Sequence, residues 1–173
     1  MLLASFVLAR IAQAGDPDLT SDFLSFTSKS NQTVDGKFFS YTGLRGLPGA
    51  PPPATFTITK ATHADFPGLN GQAVSYAFLQ FPANSINPLH THPCAAELLY
   101  VLQGCLEVGL IDTKNNLYTQ ALQKGDMFVF PKGLVHYQLN PHMKYPAAAI
   151  SAFGSANAGT LTAYSSFQYW YKK

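Results

Sequence analysis

Between residues 55 and 153 the chain is cut repeatedly by turn-forming residues, and this punctuation constrains the fold most. The breakers include Pro67-Gly68, Pro82, Pro88, Pro93, Gly104, Asn115-Asn116, Gly125, Pro131, Gly133 and Pro141. They leave short apolar or alternating segments at 55–62, 72–81, 97–103, 105–112, 117–122, 126–130, 135–140 and 147–153. Each is rich in β-branched and aromatic side chains, as strands require. Helical periodicity over a long window appears nowhere between residues 50 and 155. An all-β sandwich or barrel is therefore predicted. Residues 112–117 read as a polar hairpin turn, and 43–53 as a Gly- and Pro-rich loop before the first strand. Both faces of 98–102 and 127–130 are apolar. That predicts strands covered on both sides, either by the barrel interior and a subunit partner or by two packed sheets.

Composition removes several function classes. At 173 residues the chain has the size of one domain, large enough to bury a core without staples. Charged residues are 12% and hydrophobic residues 47%, with 13 Phe and 9 Tyr, which excludes disorder. A net charge of +2 without a basic run gives no footprint for nucleic acid. No apolar stretch is long enough for a membrane-spanning helix. The apolar run 2–9, followed by Ala12-Gln13-Ala14, predicts a secretory signal over residues 1–14, although Arg10 interrupts it and a basic start is missing. The sequon Asn31-Gln32-Thr33 then predicts a glycan on Asn31. Cys94 and Cys105 flank the extended segment 97–103. At ~3.3 Å per residue their sulfurs stand roughly 20 Å apart, so two free thiols are predicted.

The chain has only two Glu and five His, so a cluster among them carries weight. His90 and His92 are two apart, and on a strand such positions share a face. Pro93 breaks that strand, and Glu97 opens the next, where a turn can return its carboxylate to the imidazoles. His136 follows the turn Pro131-Lys132-Gly133 at the start of a later strand. Three neutral imidazoles and one carboxylate leave two positions of an octahedron open, which suits Mn(II) or Fe(II). Catalytic zinc is more often held by three protein ligands in a tetrahedron. His63 and His142 are read as ordinary polar residues.

At these residues the sequence resembles a known family. His90, His92, Glu97 and Gly104 match the first cupin motif, with Asn84 in place of its leading Gly. Gly125, Pro131, Gly133, His136 and Asn140 match the second. The text around them is similar to the plant germin-like proteins: Phe66-Pro67-Gly68-Leu69-Asn70-Gly71, Asn87-Pro88, Gly125-Asp126-Met127-Phe128-Val129-Phe130-Pro131 and Ser151-Ala152-Phe153-Gly154. The resemblance implies a cupin jelly-roll β-barrel with one Mn(II) on His90, His92, Glu97 and His136. It further implies a secreted glycoprotein of the plant cell wall or apoplast, assembled as a trimer or hexamer. Asn70 and Asn87 match the two amides that hold substrate in the oxalate-oxidising members; otherwise they are turn residues.

Two departures shape the expected layout. The N-terminal cysteine pair of many relatives is replaced by Asp22-Phe23-Leu24 and Phe38-Phe39-Ser40. Residues 160–173 do not resemble the family's C-terminal clasp, so its helical extension is expected to be missing. The expected layout is a signal over 1–14, an arm over 15–54, the barrel over 55–164 and an atypical tail over 165–173. The functional expectation is superoxide dismutase-type activity with a role in plant defence. The alternatives are an oxalate oxidase producing hydrogen peroxide, or a non-enzymatic metal-binding wall, storage or receptor protein.

Overall fold

The alternation of Glu97–Gln103 turns directly into packing. Glu97, Leu99 and Val101 are buried, while Leu98 and Tyr100 face outward. The computed structural model describes Leu19, Asp22, Phe23 and residues 34–162. The predicted signal, the sequon at Asn31 and the tail over 165–173 lie outside the described residues. In chain order the strands are β1 (Thr57–Ala61), β2 (Ser75–Phe81), β3 (Ser85–Thr91), β4 (Glu97–Gln103), β5 (Cys105–Ile111), β6 (Leu117–Gln123), β7 (Met127–Phe130), β8 (Val135–Asn140), β9 (Ala147–Phe153) and β10 (Leu161–Thr162). The helical content among the described residues is one 3-10 turn, Pro67–Leu69. The all-β fold expected from the punctuation forms, and it is the jelly roll that the resemblance implies.

Two antiparallel sheets of five strands face each other, in the orders β1-β2-β9-β4-β7 and β10-β3-β8-β5-β6. Leu79, Phe81, Leu99, Val101, Leu106, Val108, Phe130 and Ala149 fill the space between them. Burial of each large side chain contributes about 1.5–3 kcal/mol, which makes this layer the main source of stability. The arm's Tyr41 stacks on Phe66 at 5.6 Å and donates its hydroxyl hydrogen to Lys60 O at 3.2 Å. Cys94 and Cys105 are free and exposed at either end of β4 and its lead-in, as the strand length requires.

Three features differ from the sequence reading. The strand end at His90 was expected, but not the start of β3 at Ser85, because Asn87 and Pro88 interrupt it. Its register against β8 shifts between Asn87 and His90, and a bulge is where a strand accepts proline. β10 is too short to signal itself. Among the described residues the two-sided cover expected for 98–102 and 127–130 is only half present. The opposite sheet covers the inner face; on the outer face Leu98 is 40%, Met127 55% and Val129 55% exposed.

The hinge points obey backbone sterics. Asn84, standing where the cupin motif has glycine, takes φ 52°, a conformation asparagine tolerates. Gly104, between β4 and β5, takes φ 75°, and a Cβ there would lie 2.7 Å from Pro146 O.

Candidate metal centre

Strand parity and register assemble the centre. β3 carries His90 near its end, and His92 follows just past it. The β3–β8 ladder sets His90 opposite His136. Glu97, first residue of β4, sits in the other sheet between Phe130 and Phe153. All four side chains are buried, and their ligand atoms lie within 4.8 Å of one another. The four residues singled out by spacing are therefore brought together.

Each imidazole is oriented from behind by a backbone carbonyl. His90 Nδ1–H donates to Pro88 O at 2.7 Å, and His136 Nδ1–H to Leu134 O at 2.9 Å. His92 Nδ1–H donates to Gly159 O at 2.5 Å. With the proton on Nδ1, each Nε2 presents a lone pair to the centre. Aromatic rings fix the ring planes: Phe130 stacks on His136 at 4.3 Å, and Phe153 meets His92 edge-on at 4.9 Å.

Glu97 is held by its other oxygen. Its Oε1 accepts from Ser151 Oγ at 2.6 Å and from Gln138 Nε2 at 3.1 Å. Its Oε2 lies 3.1 Å from His92 Nε2 and 3.2 Å from His136 Nε2. Burial alone would raise this carboxyl. Hydrogen bonds from His136 and His92, the nearby His136 charge and Ser151 overcome that and hold it down at about 2. Burial, then the neighbouring His136, pushes His90 down to about 4, so it is neutral at ordinary pH. In the metal-free chain an Nε2 proton of His92 or His136 holds Glu97; with those protons gone, three Nε2 lone pairs and the carboxylate oxygen converge. A cation resolves that arrangement, and the donor set of three imidazoles and a carboxylate suits a divalent transition metal.

The two candidate amides, Asn70 and Asn87, separate. Asn87 is buried beside the centre; its Nδ2–H donates to Gln138 Oε1 at 2.6 Å. A relay Asn87–Gln138–Glu97 therefore runs behind the carboxylate. Asn70 closes the 3-10 turn, its backbone N–H bonding Pro67 O at 3.0 Å, and it is not among the residues lining the cavity at the centre. His63 and His142 are not part of the cluster. Sequence reasoning missed Gln138, Ser151 and Gly159. Gln138 was within reach, since it lies two residues from His136 on the same face of β8.

A cavity of about 180 Å³ adjoins the centre. Ile58, Ala77, Leu79 and Phe153 give it apolar walls, and Asn87, Lys60, Thr160 and Thr162 give it polar ones.

Comparison with known proteins places these observations in context. The family model described as Cupin matches residues 52–172. Germin-like protein 9-3 of Oryza sativa subsp. japonica is 50% identical over 157 residues, covering 88% of this chain and 73% of that protein. Germin-like protein 1-1 of the same organism is 42% identical over 164 residues, covering 88% and 74%. Among solved structures, an oxalate oxidase superposes with a TM-score of 0.72 at 28% identity, covering 86% of this chain and 81% of that one.

Proposed function

We propose a function from one premise: the chain belongs to the germin-like proteins of the cupin family. It is a manganese-binding germin-like protein with superoxide dismutase-type activity. The observation that carries this reading is the convergence of three oriented Nε2 atoms and one buried carboxylate oxygen beside a cavity.

His90, His92, Glu97 and His136 would hold the ion. Bound there, manganese would supply the one-electron couple that converts two superoxide anions and two protons into hydrogen peroxide and dioxygen. Three neutral imidazoles and one carboxylate leave a divalent ion with a net positive charge, which favours an anionic substrate. The three carbonyl acceptors hold each Nδ1 proton away from the centre. Among the described residues Glu97 is the one carboxylate on the cavity wall and is committed to the centre, and solvent water is the proton source of this reading. Purified protein is expected to contain manganese and to dismute superoxide, and His90→Ala to lose both. Activity in a metal-free preparation would overturn this reading.

Oxalate oxidation is the second reading, favoured by Asn87 on the cavity wall and by the likeness to oxalate oxidase. Asn70 lends it no support. An oxalate-dependent peroxide assay decides it: peroxide above the metal blank supports it, and its absence removes it. Bound manganese with turnover no better than the free ion would leave a non-enzymatic wall, storage or receptor protein.

The setting we propose is the plant apoplast and a role in defence. The 2–9 run with Ala12-Gln13-Ala14, the Asn31 sequon and the family support it. Assembly as a homo-oligomer is supported by the uncovered apolar face of β4 and β7.

A further inference from the structure

The inner face of the sheet β1-β2-β9-β4-β7 is apolar around the cavity, apart from the polar groups at the metal centre and one exception. Lys60 of β1 stands opposite Ala77 in register, two residues from Ile58, which stands opposite Leu79. Ala77 and Leu79 belong to the core, yet Lys60 lines the same cavity as His90, His92 and Glu97. Register thus places Lys60 on the face of Ile58, where its exposed side chain sets a charge beside apolar neighbours.

Among the described residues nothing compensates the charge of Lys60. Lys60 Nζ donates to Thr160 Oγ1 at 3.3 Å, and no described carboxylate lies within ion-pair distance. Thr160 follows Gly159, whose carbonyl orients His92, and its own hydroxyl lies 3.5 Å from His92 Nδ1. The ammonium is exposed, on edge strand β1, where the seam with β10 opens beside the centre. A charged rim with apolar walls behind it concentrates a small anion from solvent and holds it at the entrance.

We propose that Lys60 is the anion-recognising residue of this cavity, receiving a small inorganic or carboxylate anion at the β1–β10 seam before it reaches the metal. This rests on the four-residue centre being a metal site. A lysine on an edge strand has one bland role, discouraging strand-to-strand aggregation. A second is to tie β1 to Thr160. The substitutions below separate these roles from anion recognition.

The test uses the full chain loaded with Co(II), which reports anion binding by its visible spectrum without superoxide chemistry. Azide serves as the monoanion and oxalate as the dianion. Lys60→Gln keeps a donor for Thr160 and removes the charge; Lys60→Arg keeps the charge. Lys60→Gln is expected to weaken anion binding by about two- to fivefold and to flatten its dependence on ionic strength. Lys60→Arg is expected to restore both. A larger loss for oxalate than for azide identifies a dicarboxylate whose second end reaches Lys60; equal losses identify a monoanion drawn in by charge. Unchanged affinity in Lys60→Gln for both anions overturns the proposal, as does equal weakening in Lys60→Arg. A chain that takes up neither Co(II) nor Mn(II) removes it together with the metal reading. Superoxide turnover on the Mn(II)-loaded protein is scored separately: Lys60-dependent anion binding without turnover sinks only the dismutase assignment.

Discussion

At the scale of single residues, the centre depends as much on the groups behind the ligands as on the ligands. Ser151 makes the shortest contact to Glu97, at 2.6 Å, inside a fully buried pocket. Ser151→Ala is expected to lower metal affinity by about tenfold, measured by competition with a chelator. Protons compete for the same atoms, and the sign follows from the shifts. His90 in the folded chain titrates at about 4, below its ordinary 6.5. The unfolded chain therefore takes up that proton first, and the metal-stripped fold loses stability as pH falls through that window. Glu97, held at about 2 against an ordinary 4.5, contributes stability above 4.5 that is lost as pH falls toward 2. Urea midpoints of metal-stripped protein should therefore decline from pH 6.5 downward. His90→Gln should flatten the upper part of the decline and leave the lower part. An unchanged profile in that variant would place the titrating group elsewhere.

At the scale of elements, strands and turns fix where the ligands meet. Gly104 lets β4 reverse into β5 at a φ that other residues resist, against Pro146 O and the Ala147 Cβ 2.9 Å away. Gly104→Ala is expected to cost about 1–3 kcal/mol, read as a lower urea midpoint with the metal site intact. Most of this level was legible in the sequence. Alternation in 97–103 and the breakers around it specify a strand because side-chain parity and turn chemistry are local. The ligands were legible for the same reason: parity joins His90 to His92, and the turns on either side place Glu97 and His136. The start of β3 was obscured because Pro88 is a strand breaker in isolation, and only the bulge against β8 makes room for it. Ser151 and Gly159 carry no local signal. Their roles arise from register between distant strands, such as Leu99 opposite Ser151, which no short window contains.

At the scale of the whole molecule, the sheet containing β4 and β7 presents Leu98, Tyr100, Met127 and Val129 to solvent, with no charge among them. A patch of this kind fits the contact surface of the proposed homo-oligomer. Replacing Leu98 with Lys and Val129 with Glu is expected to shift the sedimenting species of the proposed homo-oligomer to the monomer, with the far-ultraviolet spectrum retained. A monomeric wild type would remove the oligomer from the reading. The same long-range closure also decides how the centre comes apart. His90 and His136 take their orienting carbonyls from two residues away, whereas His92 depends on Gly159, 67 residues on. That carbonyl precedes β10, a strand of two residues on the sheet edge. Short edge elements open far more often than a core does. Escape of a bound ion to a chelator would therefore be timed by the peeling of β10, on a clock independent of how firmly the barrel itself resists unfolding.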